Sequence, residues 1–249
     1  MDTATINWPV VGIALSGGII LLLRDWRVTF PALLLNYVFV ALFLAQQQFI
    51  STELQLGSLA ISAIVLVKLI TGAAVTTILT ITALAFSREY GLVELDEFSL
   101  AELRRAARRA QRQRAAEPFR FSNYVLAFWS LVLTVLAALA LPRLYPILPN
   151  AAADFAWYWL GLTGLFTLVV ASDLLKIGLG LMLCASCIDL LYTAHPHPPT
   201  ARIEPEGIGI YPLALLSLMT ITLALGVAYL SGLLYGRLKT LELNELYKR

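Results

Sequence analysis

The stretch SDLLKIGLGLMLCASCIDLL, residues 172–191, decides the fold of this chain. It is apolar enough and long enough to cross a bilayer, since a spanning helix needs about 20 apolar residues. It nevertheless opens with Asp173 and carries Lys176 one turn later. An aspartate at a helix start complements the helix dipole, and the long stem of a lysine can carry its charge to the headgroups. The pattern predicts a spanning helix that begins at the membrane interface.

Composition shows that most of the chain lies in lipid. Hydrophobic residues make up 59% of the 249 residues and charged residues only 14%, whereas soluble domains are about half apolar and about a quarter charged. The apolar stretches are continuous, without the alternation that the strands of a membrane barrel show. Helices satisfy their own backbone hydrogen bonds in lipid. The sequence therefore predicts an all-α, polytopic membrane protein.

Seven apolar stretches qualify as spans. We expect about seven transmembrane helices, at residues 8–23, 28–50, 58–86, 122–141, 154–171, 174–194 and 208–236. Basic residues concentrate in alternate connections, which places those connections in the cytoplasm. The prediction is a multi-pass protein of the inner (cytoplasmic) membrane, with its N-terminus outside and its C-terminus in the cytoplasm. Asp25, in the first basic turn, should lie at the interface before the second span, as Asp173 does before the sixth.

The longest connection is predicted to form a basic amphipathic helix. Residues 99–117 begin with a capping box, Ser99 and Glu102. Five arginines form its candidate docking surface: Arg104, Arg105, Arg108, Arg109 and Arg112. They are expected to lie on anionic lipid headgroups or to dock an acidic partner. Nucleic acid is not expected as a ligand, because no aromatic platform or known nucleic-acid-binding fold accompanies the charge.

The chain also contains an internal repeat. LVELDEF at 92–98 follows the third span, and TLELNEL at 240–246 follows the seventh. The predicted organisation is a first three-span unit at 1–98, the basic helix at 99–121, a linking span and loop at 122–149, and a second three-span unit at 150–249. Because three crossings reverse the side of entry, the linking span gives both units the same orientation, as parallel repeats related by an axis along the membrane normal.

The second unit resembles a small three-span subunit that occurs in two machines: the K subunit of complex I (NADH:quinone oxidoreductase) and the C subunit of Mrp-type multisubunit cation–proton antiporters. LGLTGLFTLVVASDLLKIGLGLMLCASCIDLL at 160–191 and the ending TLELNEL carry the resemblance. The resemblance implies a helical subunit packed against other integral membrane subunits. The two intramembrane glutamates of the complex I subunit map near residues that are not acidic: Gly180 and Leu223 in the second unit, Ala32 and Val75 in the first. The proton-carrying role is therefore not expected here.

Few ionisable residues remain inside the spans. Lys68 lies well inside the third span and is the candidate for an ion path. It could pair with a carboxylate of a neighbouring subunit or extend towards the headgroups. Asp189, one turn from the end of the sixth span, is expected to be interfacial. Cys184 and Cys187 are expected to be packing residues, and His195 and His197 part of a stiff turn, so neither a metal nor a cofactor is predicted.

These features predict a non-catalytic structural or accessory subunit of an ion-translocating complex of the complex I/Mrp antiporter type. The alternative is an accessory or scaffold subunit of another membrane complex, such as a photosynthetic or electron-transfer assembly. A stand-alone transporter is less favoured, because no broken helix or acidic pair marks a midplane site. An enzyme is not expected, because the sequence lacks a nucleophile–base set, a metal cluster and a phosphate loop.

Overall fold

The computed structural model describes residues 7–47, 53–56, 59–89, 122–148, 150–194 and 210–238. The predicted basic helix with its docking arginines lies outside these residues. So do both Glu-Leu motifs and the histidine-containing turn. The described part contains seven helices: α1 (Trp8–Leu22), α2 (Trp26–Gln46), α3 (Ala63–Glu89), α4 (Ser122–Leu144), α5 (Ala151–Val170), α6 (Leu174–Ala194) and α7 (Ile210–Leu238).

The protein is an all-α polytopic membrane protein, as the composition predicts. Six of the seven described helices, α2 to α7, are long and apolar enough to cross a membrane. Helix α1 has 15 residues, which at 1.5 Å per residue gives about 22 Å, less than the hydrocarbon thickness of about 30 Å. Pro9 is at the start of α1, where its fixed φ suits the first turn of a helix.

A small hairpin precedes α3 and corrects the predicted start of the third span. Strands β1 (Glu53–Leu56) and β2 (Leu59–Ser62) pair antiparallel, with Glu53 opposite Ser62. The span predicted to begin at residue 58 therefore begins at Ala63. The Glu-Leu-Gln-Leu alternation of β1 is the period of a strand, which a search for apolar length alone overlooks.

Six helices pack as two rows of three. One row is α1–α2–α3 and the other is α5–α6–α7, with α1 against α5, α3 against α7 and a lighter contact between α2 and α6. Helix α4 lies outside the rows, against α1 and α5. Rows stacked in the same order are related by a displacement with little rotation. The predicted relation by rotation about an axis along the membrane normal is therefore wrong, because a half-turn about that axis would place α1 against α7.

Two of the three pairs of corresponding helices in the rows have similar lengths, whereas α1 has 15 residues and α5 has 20. Helices α2 and α6 each have 21 residues, and each follows a short link that ends in an aspartate, Asp25 or Asp173. Helices α3 and α7 have 27 and 29 residues. The division into two three-span units stays a prediction; Asn150, the first residue of the predicted second unit, is the N-cap of α5.

The second row is held by an unusually close helix crossing. A Cβ atom built on Gly180 of α6 would lie 2.9 Å from the carbonyl oxygen of Gly164 in α5, and one on Gly164 would lie 2.7 Å from the Sγ atom of Cys184. Small residues allow two backbones to approach in this way, which is how membrane helices gain packing energy. The crossing fixes α6, and with it the polar residues near its end.

Candidate functional site: a buried ion pair between the rows

Lys68 of α3 and Asp189 of α6 form a salt bridge inside the bundle. Lys68 is 1% exposed and Asp189 7% exposed. Lys68 is the sixth residue of α3 and Asp189 the sixth from the end of α6. The pair joins the third helix of one row to the second helix of the other.

Two expectations are corrected by this geometry. Lys68 does not extend to the headgroups and does not need a carboxylate from a neighbouring subunit, because Asp189 of the same chain neutralises it. Asp189, expected at the interface near the end of its span, has a side chain that is enclosed by the protein. An isolated charge in a bilayer is costly, so burial of either residue requires the other. Sequence reasoning identified Lys68 but not its partner.

Two further polar side chains, Tyr37 of α2 and Ser186 of α6, lie about one turn from the ion pair. Tyr37 of α2 lies so close to α3 that a Cβ atom on Gly72 would be 2.6 Å from the Tyr37 Cβ atom. The Tyr37 hydroxyl interacts with Ser186 of α6, although the two hydroxyls do not meet the geometry of a hydrogen bond. Ser186 and Asp189 are three residues apart, on one face of α6. Tyr37 and Ser186 therefore extend the polar region that the ion pair begins.

A second polar contact lies on the other side of α2. The Nδ2 atom of Asn36 donates to the Ser16 Oγ atom of α1 at 2.9 Å, and Ser16 donates to the carbonyl of Gly12 at 2.8 Å. Asn36 is fully buried. The contact binds α1 to α2, since interhelical hydrogen bonds of this kind help membrane helices associate.

Asp189 also forms part of a groove between α6 and α7, which we call the α6/α7 groove. Its volume is about 270 Å³. Its lining is otherwise almost wholly apolar: Ala185, Ile188, Leu216, Met219, Thr220 and Leu223. Within the described structure, the Asp189 Oδ1 atom is buried and accepts no hydrogen bond. One carboxylate oxygen thus binds Lys68, while the other is left without a donor.

Asp25 and Asp173 lie at the starts of helices, as the sequence predicts. The Asp25 carboxylate accepts from the backbone N–H of Arg27 at 3.0 Å. The Asp173 carboxylate accepts from the backbone N–H of Lys176 at 2.7 Å. Each aspartate caps its helix and complements the helix dipole.

The Lys176 side chain does not extend to the headgroups. It is 3% exposed, and its ammonium donates to the carbonyl oxygens of Leu21 and Leu23 at 3.1 and 3.2 Å. These are terminal carbonyls of α1, which lack partners within their own helix. A cation there is favoured by the helix dipole. Lys176 therefore fixes the end of α1 to the start of α6.

Of the four positions that the resemblance maps near the relay glutamates, three are enclosed by the bundle, and the fourth, Leu223, lies in the groove that also contains Asp189. Ala32 and Val75 are buried. At Gly180 the neighbouring carbonyl of Gly164 occupies the space that a side chain would need. Leu223 lies on the wall of the α6/α7 groove. None of the four sites holds an ionisable group, and a glutamate at Gly180 would require α5 and α6 to separate.

Asp154 is a buried carboxylate that sequence reasoning missed. It is 1% exposed and accepts hydrogen bonds from the backbone N–H groups of Ile147 and Leu148, at 2.8 to 3.1 Å. It thereby holds the connection between α4 and α5. Its position in the first turn of a helix, after a Pro-rich link, is the signal that could have revealed it.

The cysteines are packing residues in the structure. Cys187 is buried and its thiol lies 3.4 Å from the Trp157 carbonyl oxygen. Across the described ranges, no group of three or more His, Cys, Asp or Glu side chains is arranged to hold a metal ion. Comparisons with protein-family models, with curated proteins and with solved structures found no match.

Proposed function

We propose that the protein is a non-catalytic subunit of an ion-translocating membrane assembly of the complex I/Mrp antiporter type, built from two fused three-span units. The observation that carries the proposal is the buried Lys68–Asp189 pair between the rows. Charged pairs are rare within membranes, and where they occur they commonly mark ion paths. The relay glutamates are absent, so the chain supplies a fixed polar axis and does not itself pump.

The outer faces of the bundle support a role within a larger assembly. Helices α4 and α7 are the least enclosed of the six long helices: only 22% and 28% of the residues in their most apolar 18-residue stretches are buried. Trp129, Leu133 and Leu136 of α4 are more than half exposed. Lipid or the helices of other integral membrane subunits would cover these faces. Anionic headgroups or an acidic partner would cover the basic helix in the cytoplasm, with the N-terminus outside.

The test separates a structural ion pair from a functional one. The paired substitution Lys68→Met with Asp189→Leu removes both charges and leaves apolar side chains of similar length. In the host, the proposal expects normal amounts of assembled complex and reduced ion transport across membrane vesicles. The matched control is Asp25→Asn, which changes an exposed cap and should leave both readouts unchanged.

Mass spectrometry of the gently solubilised native complex identifies the parent assembly. Recovery with cation-transporting or quinone-reducing subunits supports the proposal. Recovery with pigment- or haem-bearing chains contradicts it and favours the scaffold alternative, in which the basic helix docks a peripheral partner. A protein that purifies alone and transports ions by itself also contradicts it.

A further inference from the structure

A pocket lies at the end of the bundle where the links between helices meet. It is formed by Leu23 and Arg24, the start of α2 and the start of α6, and its volume is about 170 Å³. We call it the link pocket. Its lining combines charged, polar and apolar side chains: Leu23, Arg24, Trp26, Thr29, Phe30, Asp173, Leu175, Lys176 and Leu179. It lies at helix ends, far from the Lys68–Asp189 pair, which is near the opposite end of α6.

The charges of the link pocket favour an anion. Arg24 and Lys176 are both in its lining and lie close enough to interact electrostatically. Asp173, the one carboxylate among the described lining residues, accepts from the Lys176 backbone N–H and from Ser172 and also attracts the Lys176 ammonium, so the two cations outnumber it. An ammonium has three donors, and two of those of Lys176 are used on α1 carbonyls. One ammonium donor and the exposed Arg24 guanidinium therefore remain for a ligand.

A separate observation points to a missing hydrogen-bond partner. Thr29 lines the link pocket and is 2% exposed. In the part of the chain that the structure describes, its hydroxyl has no hydrogen-bond partner. Buried hydroxyl groups are nearly always paired. A ligand with acceptor oxygens would satisfy the Thr29 hydroxyl and the two cations together.

The apolar half of the lining identifies the kind of ligand. Trp26, Phe30 and Leu179 supply apolar surface to the lining of the link pocket. Tryptophan is typical of the headgroup level of membranes, and basic pockets between spanning helices on the cytoplasmic side bind phosphate headgroups. A free phosphate would use the cations but not the apolar wall.

We infer that the link pocket binds the phosphate of an anionic glycerophospholipid, held by Arg24, Thr29 and Lys176, with the start of an acyl chain along Phe30 and Leu179. The bound lipid joins the α1–α2 link to the α5–α6 link, where the two units meet. This inference does not depend on which assembly contains the protein.

Native mass spectrometry of the purified full chain tests the inference. Phosphatidylglycerol and phosphatidylcholine with identical acyl chains are titrated separately, with a third titration of inorganic phosphate. A single phosphatidylglycerol molecule should bind to each protein chain, with higher affinity than phosphatidylcholine. Arg24→Gln should weaken its binding about tenfold, since a hydrogen bond to a charged group is lost. The isosteric Thr29→Val should weaken it severalfold while the melting temperature of the lipid-free protein is retained or rises.

Arg27→Gln is the matched control. Arg27 lies over the Trp26 ring at the same end of the bundle but is outside the lining. Its variant should bind phosphatidylglycerol like the unmodified protein. An equal loss in Arg27→Gln and Arg24→Gln would show general attraction to a basic surface, which overturns the inference. Unchanged binding in both Arg24→Gln and Thr29→Val overturns it as well. Displacement of the lipid by millimolar inorganic phosphate would assign the pocket to the free ion instead.

Discussion

Replacing Asp189 with asparagine should destabilise the protein strongly, because it leaves the Lys68 ammonium buried without a counter-charge. Breaking a buried ion pair by removing one partner costs about 3–5 kcal/mol. A lysine at the centre of a membrane helix costs about 2.5–3.5 kcal/mol on insertion scales. Lys68 is the sixth residue of α3, where the cost of the unpaired charge is smaller than at the centre, so the lower end of the range for a broken pair applies. The Asp189→Asn variant should therefore lose about 3 kcal/mol of its free energy of unfolding.

The measurement is unfolding in mixed micelles with increasing dodecyl sulfate, followed by the far-ultraviolet circular dichroism of the helices. Asp25→Asn is the control with the same chemical change. Asp25 is an exposed N-cap, and asparagine caps about as well as aspartate, so this variant should unfold like the unmodified protein.

The second arm measures the coupling between the two side chains. Lys68→Met alone leaves the Asp189 carboxylate unpaired and should also be destabilising. The double variant Lys68→Met with Asp189→Leu should recover most of the loss, because apolar replacement of a whole buried pair is often neutral or stabilising by about 1–4 kcal/mol. Equal unfolding of Asp189→Asn and Asp25→Asn would refute the reasoning. A double variant that is no more stable than either single variant would also refute it.

Three other substitutions test the packing and the caps by the same unfolding measurement. Gly180→Ala should lower the free energy of unfolding by about 1–3 kcal/mol through overpacking. The control is Gly226→Ala, whose added Cβ would meet no described atom within 4 Å and which should be neutral or stabilising. Equal effects of the two substitutions would contradict the close crossing of α5 and α6. Lys176→Met should lower the free energy of unfolding by about 1–3 kcal/mol, because buried carbonyl groups of α1 lose their hydrogen-bond donor. An unchanged stability would show that these carbonyl groups find another donor. Asp154→Ala should lower the free energy of unfolding by a similar amount, because it leaves two backbone N–H groups unpaired. Amide hydrogen exchange at Ile147 and Leu148 should also become faster. Unchanged exchange at these two residues would contradict the role of the carboxylate.

The spanning helices could be predicted well because their signals are local. The bounds of α6 agree with the predicted span 174–194, since Asp173 caps one end and the apolar run ends at the other. The predicted start of α3 is wrong because the apolar residues of β2 continue directly into the helix. A criterion based on apolar length cannot separate a short strand from the helix that follows it.

The ion pair could be predicted only in part, because its two residues are distant in sequence. Lys68 stood out by its depth in the third span, but Asp189 is near a helix end and resembled an interfacial residue. A signal was nevertheless present. If α3 and α6 run in opposite directions through the membrane, the sixth residue of one and the sixth from the end of the other lie at the same depth. Matching the depths of rare charges across antiparallel spans would have paired them.

The stacking of the rows explains why each charge occurs once. If the rows are two copies of one unit, Lys68 corresponds to Leu216 and Asp189 to Ala41, and neither counterpart is charged. Two copies stacked in the same order share one interface, where the third helix of the first copy meets the second helix of the second copy. Leu216 lines the α6/α7 groove together with Asp189, so a lysine at Leu216 could pair with Asp189 within the second unit. Fusion of two units into one chain would thus allow a single pair across the shared interface to replace a pair within each copy, and no charge in the membrane is left unpaired at the cost that this carries.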